Sequence, residues 1–262
     1  MNRENILSAI DQFKNLKVLV IGDVILDAYY SGKVNRISPE APVSILDIEK
    51  KEYRLGGAAN VALNIQGLGA TPILCSIIGS DFAGKQVLDL MTKSSLPIAG
   101  MSSSSDRITS IKTRLVSNHH QLLRMDEEQS DVFSKTEQNG LINRITELLS
   151  NEKPDAIIFE DYDKGVISAI LIQTIISEAR KRNIPVTVDP KRRNFLSYAG
   201  ATLFKPNLKE LRDGLNQQDL HSEPQSLYQA FTFLNDVMPT RMVLFTLSGD
   251  GMYIASETES HH

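Results

Sequence analysis

The chain has 262 residues, long enough to bury a sizeable core, and its 28 basic and 32 acidic residues give a formal net charge of −4. This balance argues against a nucleic-acid platform, which needs a basic face to neutralise phosphates. The single cysteine, Cys75, excludes a disulfide within the chain, and its apolar surroundings, PILCSII, predict a buried thiol. The sequence shows no apolar run of the ~18 residues that a membrane span needs and no secretory signal core, so we expect a cytoplasmic protein.

In chain order, a short amphipathic helix precedes apolar strands that alternate with helical patterns. KVLVIG at Lys17–Gly22 is typical of a buried parallel strand. The other predicted strands are Thr71–Gly79, Asp155–Phe159, Pro185–Asp189, Ala201–Phe204 and Arg241–Thr246. The predicted helices are Asn60–Leu68, Gly84–Lys93, Thr136–Leu149, Ser168–Arg182 and Leu208–Leu215. We interpret Ser102–Ser105 as a loop. The alternation predicts an α/β protein with a mostly parallel sheet covered on both faces.

Two regions interrupt the alternation. Ala28–Leu55 and Thr109–Asp126 contain strand-like pieces with no helix between them. Their polar and apolar residues alternate, which indicates half-exposed antiparallel strands. Together they predict a small sheet that projects from the main domain as a lid.

The segment GGAANVALN at Gly56–Asn64 is the strongest candidate for a binding site. Glycines allow positive φ angles and a close approach of a ligand. The free N–H groups and the dipole of a helix start favour polar or anionic groups, and the amide of Asn60 can both donate to and accept from a sugar hydroxyl. The alternative is a tight turn followed by close helix packing.

The spacing around this segment resembles the first signature of the PfkB/ribokinase carbohydrate kinase family, because GGAANVA is followed by six residues, Gly69, nine residues and Gly79. With GDVILD before it, NRISPEAPV at Asn35–Val43 is similar to the heptose 7-phosphate kinases of lipopolysaccharide-precursor synthesis, the kinase half of bifunctional ADP-heptose synthases. QLLRMD, DYDKG, VDPK and GATLFKPNLKEL continue the resemblance over nearly the whole chain. It implies a ribokinase-like three-layer α/β/α domain over residues 1–262, with lid segments at about 28–55 and 109–126.

The resemblance also implies a sugar site. Asp27 would accept hydrogen bonds from sugar hydroxyls, beside Gly56, Gly57 and Asn60. The alternative for Asp27 is a turn or helix-cap aspartate. Asp23 either orients loops or contacts the substrate.

Four basic residues are candidates to hold the phosphate of the substrate or of the nucleotide: Arg36, Arg124, Lys164 and Lys191. Each, taken alone, could equally be a solvated surface charge. Lys164 and Lys191 follow predicted strand ends, where ligands collect in doubly wound sheets.

Two motifs resemble the nucleotide site of the family. In NLKE, the resemblance implies that Asn207 and Glu210 order Mg²⁺ and ATP, often through water. The structural alternative, a capping box, is compatible with that role. TLSGDG at Thr246–Gly251 resembles T-x-G-x-x-G, with Ser248 in place of the middle glycine. The alternative there is a simple hairpin turn, since MYIAS follows as a strand.

The family's second signature, Gly-Ala-Gly-Asp, is missing from these 262 residues. In the family it supplies an anion hole and the base for phosphoryl transfer. Either the sequence is a fragment, with the catalytic aspartate beyond residue 262, or the protein is a non-catalytic sugar- or nucleotide-binding module; we favour the fragment. We reject a zinc site at His119 and His120, because neighbouring strand residues point to opposite faces.

The resemblance therefore leads us to expect a kinase for the anomeric hydroxyl of D-glycero-D-manno-heptose 7-phosphate, with another PfkB-type sugar kinase as the nearest alternative. We expect no nucleic-acid or membrane partner. A homodimer through the lid is expected by analogy with the family and because unpaired strand edges seek partners.

Overall fold

A computed structural model of the chain describes residues 3–262, in which thirteen strands form two sheets. In chain order the strands are β1 (Lys17–Gly22), β2 (Val24–Ile37), β3 (Ser44–Gly57), β4 (Thr71–Gly79), β5 (Met101–Ser104), β6 (Ser110–Ser117), β7 (His120–Glu127), β8 (Ala156–Glu160), β9 (Val186–Asp189), β10 (Leu203–Phe204), β11 (Met242–Thr246), β12 (Met252–Ser256) and β13 (Ser260–His261). The helices are α1 (Arg3–Gln12), α2 (Ala58–Gly67), α3 (Phe82–Lys93), α4 (Lys135–Asn151), α5 (Ala169–Lys181), α6 (Leu208–Leu215) and α7 (Pro224–Val237).

The main sheet has nine strands in the order β13-β12-β11-β10-β9-β8-β1-β4-β5. The seven strands from β11 to β5 run parallel, and β12 and β13 are antiparallel to their neighbours. Successive β1 side chains serve opposite faces: Leu19 and Ile21 pack in the core beneath α4 and α5, whereas Val18 and Val20 pack beneath α2 and α3. The predicted three-layer α/β/α fold is therefore confirmed.

Long apolar runs were predicted best, and weak patterns were missed. β1, β4 and α6 have the predicted bounds, but Ala201–Phe204 contributes only the two residues of β10. The assignment of Ser102–Ser105 to a loop was wrong for the first three residues, because Ser102 to Ser104 belong to the edge strand β5. This strand is held by backbone hydrogen bonds to β4 alone, and serines form such bonds as well as apolar residues do. Helix α7 was not predicted, although it begins with a proline and buries residues at helical spacing (Leu227, Ala230, Phe231 and Leu234).

The lid is a four-stranded sheet in the order β3-β2-β6-β7. It begins at Val24, directly beyond β1, so the predicted start at Ala28 was late. The expectation of antiparallel strands was wrong for one pair, since β2 and β6 are parallel, with Ile25 opposite Ser110. The reason is topological: the chain returns through β4, α3 and β5 to the base of the lid, so both strands leave the main domain in the same direction.

Two expectations drawn from composition can be compared with the structure. Cys75 is a free, buried thiol on β4, as predicted. Within residues 3–262, no helix combines the length and the apolar character that crossing a bilayer requires.

Candidate active site

The region where the parallel strands end and the lid begins is called the cleft below. Gly22, Glu160 and Asp189 are the last residues of β1, β8 and β9, and they are neighbours in register. The lid strand β2 starts two residues beyond Gly22. Ligands of doubly wound sheets bind outside the carboxyl ends of the strands, so this edge of the sheet is the candidate site.

Asp27 lies in strand β2 against the glycine pair, not in a turn or a helix cap. Its Oδ1 accepts a hydrogen bond of 2.5 Å from Nη1 of Arg114 on β6. A Cβ atom on Gly56 would come closer than 3.0 Å to Oδ2 of Asp27. The missing side chain at Gly56 is therefore what lets the Asp27 carboxylate occupy this position.

Gly57 is the N-cap of helix α2, and both its backbone conformation and its surroundings require a residue without a side chain. Its φ is 57°, and a Cβ atom there would clash with the carbonyl oxygen of Asp23, which accepts the Ala58 amide at 3.0 Å. Asn60 is exposed in the first turn of the helix. The structure thus has the glycine-led helix start that the sequence predicted.

For the sugar site that the resemblance implies, replacing Gly56 by alanine is expected to weaken sugar binding more than it weakens the fold, because the flexible end of Asp27 must move away. We expect the KM for the sugar to rise at least 10-fold, from the partial loss of charged hydrogen bonds. The matched control is Gly67→Ala in α2, where an added Cβ meets no atom within 4 Å. Steady-state kinetics and thermal unfolding of both variants check this, and equal kinetic effects would contradict it.

Asp23 is a buried anchor for the loop that follows β8. Its Oδ2 accepts from the amides of Tyr162, at 2.8 Å, and Lys164, at 3.1 Å, and its Oδ1 accepts from Val166 at 3.0 Å. Burial and the charge of Asp161 raise the pKa of Asp23 to about 6, against the opposing effect of the three amides. With 1% of its surface exposed, Asp23 orients the loop, which was one of its two predicted roles.

The floor of the cleft carries two carboxylates that the sequence analysis did not single out, Glu160 and Asp189. Lys205 lies 2.7 Å from Asp189 Oδ2, while Oδ1 of Asp189 is buried and has no hydrogen-bond partner within residues 3–262. Burial and the charge of Asp189 raise the pKa of Glu160 to about 7. The available signal was the single acidic residue that ends each apolar run, IIFE and VTVD.

The raised pKa of Glu160 predicts a pH-dependent cost to stability. The group titrates near pH 7 in the folded chain and near its ordinary value of 4.5 when unfolded, so the free energy of unfolding falls as pH rises between these values. Glu160→Gln is therefore expected to be more stable than the parent above pH 7, by about 1–3 kcal/mol, with little difference below pH 4.5. Urea unfolding at both pH values measures the difference; a stabilisation independent of pH would refute the assignment.

The two predicted nucleotide motifs meet at the same edge of the sheet. Asn207 and Glu210 form the capping box of α6, with Glu210 Oε2 accepting from the Asn207 amide at 2.9 Å and Asn207 Oδ1 accepting from the Glu210 amide at 2.8 Å. Lys191 pairs with Oε1 of Glu210. Asn207 also bridges to Thr246, the last residue of β11. NLKE therefore forms the capping box that was the structural alternative. The bridge from Asn207 to Thr246 brings Glu210 close to the segment Thr246–Gly251.

Thr246–Gly251 forms the predicted hairpin between β11 and β12. Ser248 and Gly251 have φ angles of 57° and 89°, and the Leu247 amide donates to the Gly251 carbonyl at 2.9 Å. Ser248 to Gly251 are exposed, and an added Cβ on Gly251 would meet only open space. The turn is thus accessible to a ligand.

The basic candidates divide into two groups. Lys164 and Lys191 belong to the cleft, where Lys164 lies 2.7 Å from Glu128. Arg124 and Arg36 are on the lid, paired with Asp126 at 2.8 Å and Asp47 at 3.5 Å. Arg124 lies opposite Arg114 in register, so it is on the same face of the lid as Asp27. Arg114 was missed because its partner Asp27 is 87 residues away in the sequence.

A magnesium ion fits this site only if most of its ligands come from elsewhere. Within residues 3–262, no cluster of three or more His, Cys, Asp or Glu is arranged to hold a metal ion. Both oxygens of Glu210 are engaged, so water-mediated contact suits it better than direct ligation. Mg²⁺ keeps several waters and takes phosphate oxygens readily. Oδ1 of Asp189, which accepts no hydrogen bond within residues 3–262 and lies 3.8 Å from Nζ of Lys191, is a further acceptor on the same floor.

An α/β/α domain with a β-sheet lid above the carboxyl ends of its strands defines a ribokinase-like protein. Its fold matches phosphofructokinase-2 from Escherichia coli in complex with fructose-6-phosphate, with a TM-score of 0.73 and 18% identity over 94% of this chain and 78% of that one. Ribokinase from Arabidopsis thaliana, complexed with ribose and ATP, matches with a TM-score of 0.66 and 13% identity over 94% and 77% of the two chains.

Residues 15–262 match the family described as pfkB family carbohydrate kinase, and the chain belongs to that family. Among curated relatives, the bifunctional protein HldE of Helicobacter pylori (strain G27) is 36% identical over 93% of this chain and 52% of its own length. HldE of Geobacter metallireducens is 38% identical over 80% of this chain and 42% of its own. The chain thus spans about half the length of these relatives.

Proposed function

We propose that the whole protein transfers the γ-phosphoryl group of ATP to the anomeric hydroxyl of D-glycero-D-manno-heptose 7-phosphate, a step of ADP-heptose synthesis for lipopolysaccharide. One observation supports the assignment as a sugar kinase. The Asp27–Gly56 contact and the Asn207–Thr246 bridge lie at the same edge of the sheet. The loop NRISPEAPV and the relatives named HldE support the heptose phosphate.

In this proposal the site has a sugar half and a nucleotide half. Asp27, Gly57 and Asn60 orient the sugar hydroxyls, and Lys164, Lys191 and Arg124 meet phosphate charge. Asn207 and Glu210 order the metal-bound nucleotide, and Thr246, Ser248 and Gly251 line it. Mg²⁺, when bound with ATP, neutralises charge on the phosphates. Phosphoryl transfer depends mostly on such positioning and electrostatics.

A homodimer through the lid is part of the proposal. Strand β7 is an edge strand whose residues are all exposed, including Leu122, Leu123 and Met125. Exposed edges and apolar side chains favour pairing with a second copy. A cytoplasmic location fits the ATP that the proposed reaction consumes.

A panel of acceptors tests the substrate. The product of the whole gene is assayed for ADP release with heptose 7-phosphate, fructose 6-phosphate, ribose and a nucleoside. Turnover that favours heptose 7-phosphate supports the proposal, whereas turnover only with another acceptor indicates a different sugar kinase of the family. Binding of sugar and ATP without turnover would indicate the non-catalytic module.

A further inference from the structure

The face of the lid that looks into the cleft is polar and carries an unassigned lysine. Asp27, Lys112 and Asp126 are neighbours in register across β2, β6 and β7, so their side chains share one face. This face looks towards the floor, because Nζ of Lys112 lies 5.9 Å from the ring centroid of Tyr162, which belongs to the loop after β8.

A second lysine approaches the same ring from the floor. Nζ of Lys191 lies 5.5 Å from the centroid of Tyr162. The ring of Tyr162 therefore brings one ammonium group of the lid and one of the floor to the same part of the cleft, within the range of cation–π attraction. Burial and the charges of Glu160, Asp189 and Asp27 also act on Tyr162 and raise the pKa of its hydroxyl to about 12, so the lysine of the lid is the cation on this side that an anion could still engage.

The charge of Lys112 is not neutralised, unlike that of its neighbours. Arg114 pairs with Asp27, Lys164 with Glu128, Lys191 with Glu210 and Lys205 with Asp189. Within residues 3–262, Lys112 has no carboxylate oxygen at ion-pairing distance. A phosphate monoester carries a charge of about −1.5 to −2 at neutral pH and binds most favourably where a cation is not already compensated.

We propose that Lys112, on the lid beside the ring of Tyr162, forms the subsite for the phosphate group that the sugar substrate already carries. This inference rests on the proposed function and deepens it, since it makes Lys112 the residue that distinguishes a sugar phosphate from a free sugar. The residues predicted from the sequence for this task, Arg124, Lys164 and Lys191, already have carboxylate partners.

The test compares two substrates in one variant. Lys112→Met, which keeps an apolar stem, is expected to raise the KM for heptose 7-phosphate about 10- to 100-fold, the loss of one charged hydrogen bond. The KM for the same heptose without its phosphate should change less than about 2-fold, since that sugar makes no such bond. Lys112→Arg should restore most of the affinity for the phosphorylated sugar. Equal losses for both sugars, or no loss for either, would overturn the proposal.

Lys51 provides the matched control. Its Nζ lies 4.8 Å from the ring centroid of Tyr30, in the same kind of contact, but it is on the opposite face of the lid. Lys51→Met should leave both KM values unchanged. Calorimetric titration of the whole protein and its variants with heptose 7-phosphate and with fructose 6-phosphate needs no turnover. If neither sugar is phosphorylated, the proposed function fails, and the calorimetry still decides whether Lys112 binds the phosphate.

Discussion

Replacing Asp27 by asparagine is expected to lower kcat/KM for the sugar substrate about 100- to 1,000-fold. A carboxylate can accept hydrogen bonds from two sugar hydroxyls, and each bond to a charged group contributes about 1.5–3 kcal/mol. An amide keeps one acceptor but presents N–H groups to the second hydroxyl and to Arg114, which now donates to Oδ1. The loss should therefore arise from misplaced polar groups and not from a cavity.

The fold should tolerate this change, because 22% of the Asp27 side chain is exposed and its ion pair with Arg114 is partly solvated. Asp47→Asn is the control, since Asp47 also pairs with an arginine of the lid, Arg36, but at an exposed position. Steady-state kinetics and thermal unfolding of both variants separate the two roles. Wild-type kinetics in the Asp27 variant, or similar losses in both variants, would remove Asp27 from the sugar site.

Replacing Glu210 by glutamine is expected to reduce kcat about 100-fold with little loss of stability. Glutamine serves at the third position of a capping box as glutamate does, so helix α6 should still be capped. The negative charge that faces Lys191 would be lost, and with it the proposed ordering of water around the metal-bound nucleotide. The KM for ATP should rise together with the fall in kcat.

The chain contains a second capping box that serves as a control. Glu137 occupies the same position in the box of α4, with Ser134 as the cap. Glu137→Gln should cap its helix equally well and leave the kinetics unchanged. Parallel measurements of kcat, KM for ATP and midpoint of thermal unfolding distinguish the two boxes. If both variants lose stability and neither loses kcat, Glu210 is a helix cap and nothing more.

The parts of the fold that the sequence predicted are those with strong local signals. Strands β1 and β4 are long apolar runs that end in glycine, and the capping box at Asn207 marks the start of α6. Strand β5 could not be predicted from its serines, because its hydrogen bonds come from β4 and not from its own side chains. The parallel pairing of β2 with β6 was equally hidden, since alternation along a strand does not reveal the direction of its neighbour.

The residues of the candidate site also fall into those that the sequence predicted and those that only the fold revealed. Asp27 and Gly56 were predicted from two separate motifs, and the structure supplies the physical link, since the missing Cβ of Gly56 makes room for the carboxylate. Arg114 and Lys112 were not predicted, because only the register of β6 against β2 brings them to the cleft. Glu160 was missed because its raised pKa comes from burial and from the charge of Asp189, which only the fold brings beside it.

The measurement that tests the central claim most directly is ³¹P NMR of the whole gene product incubated with ATP, Mg²⁺ and heptose 7-phosphate. The proposed function predicts a new phosphate signal coupled to the anomeric proton, growing in step with ADP while the signal of the original sugar phosphate persists. Formation of ADP together with inorganic phosphate alone, or an unchanged spectrum from a protein that binds both substrates, would contradict a kinase that acts on this sugar.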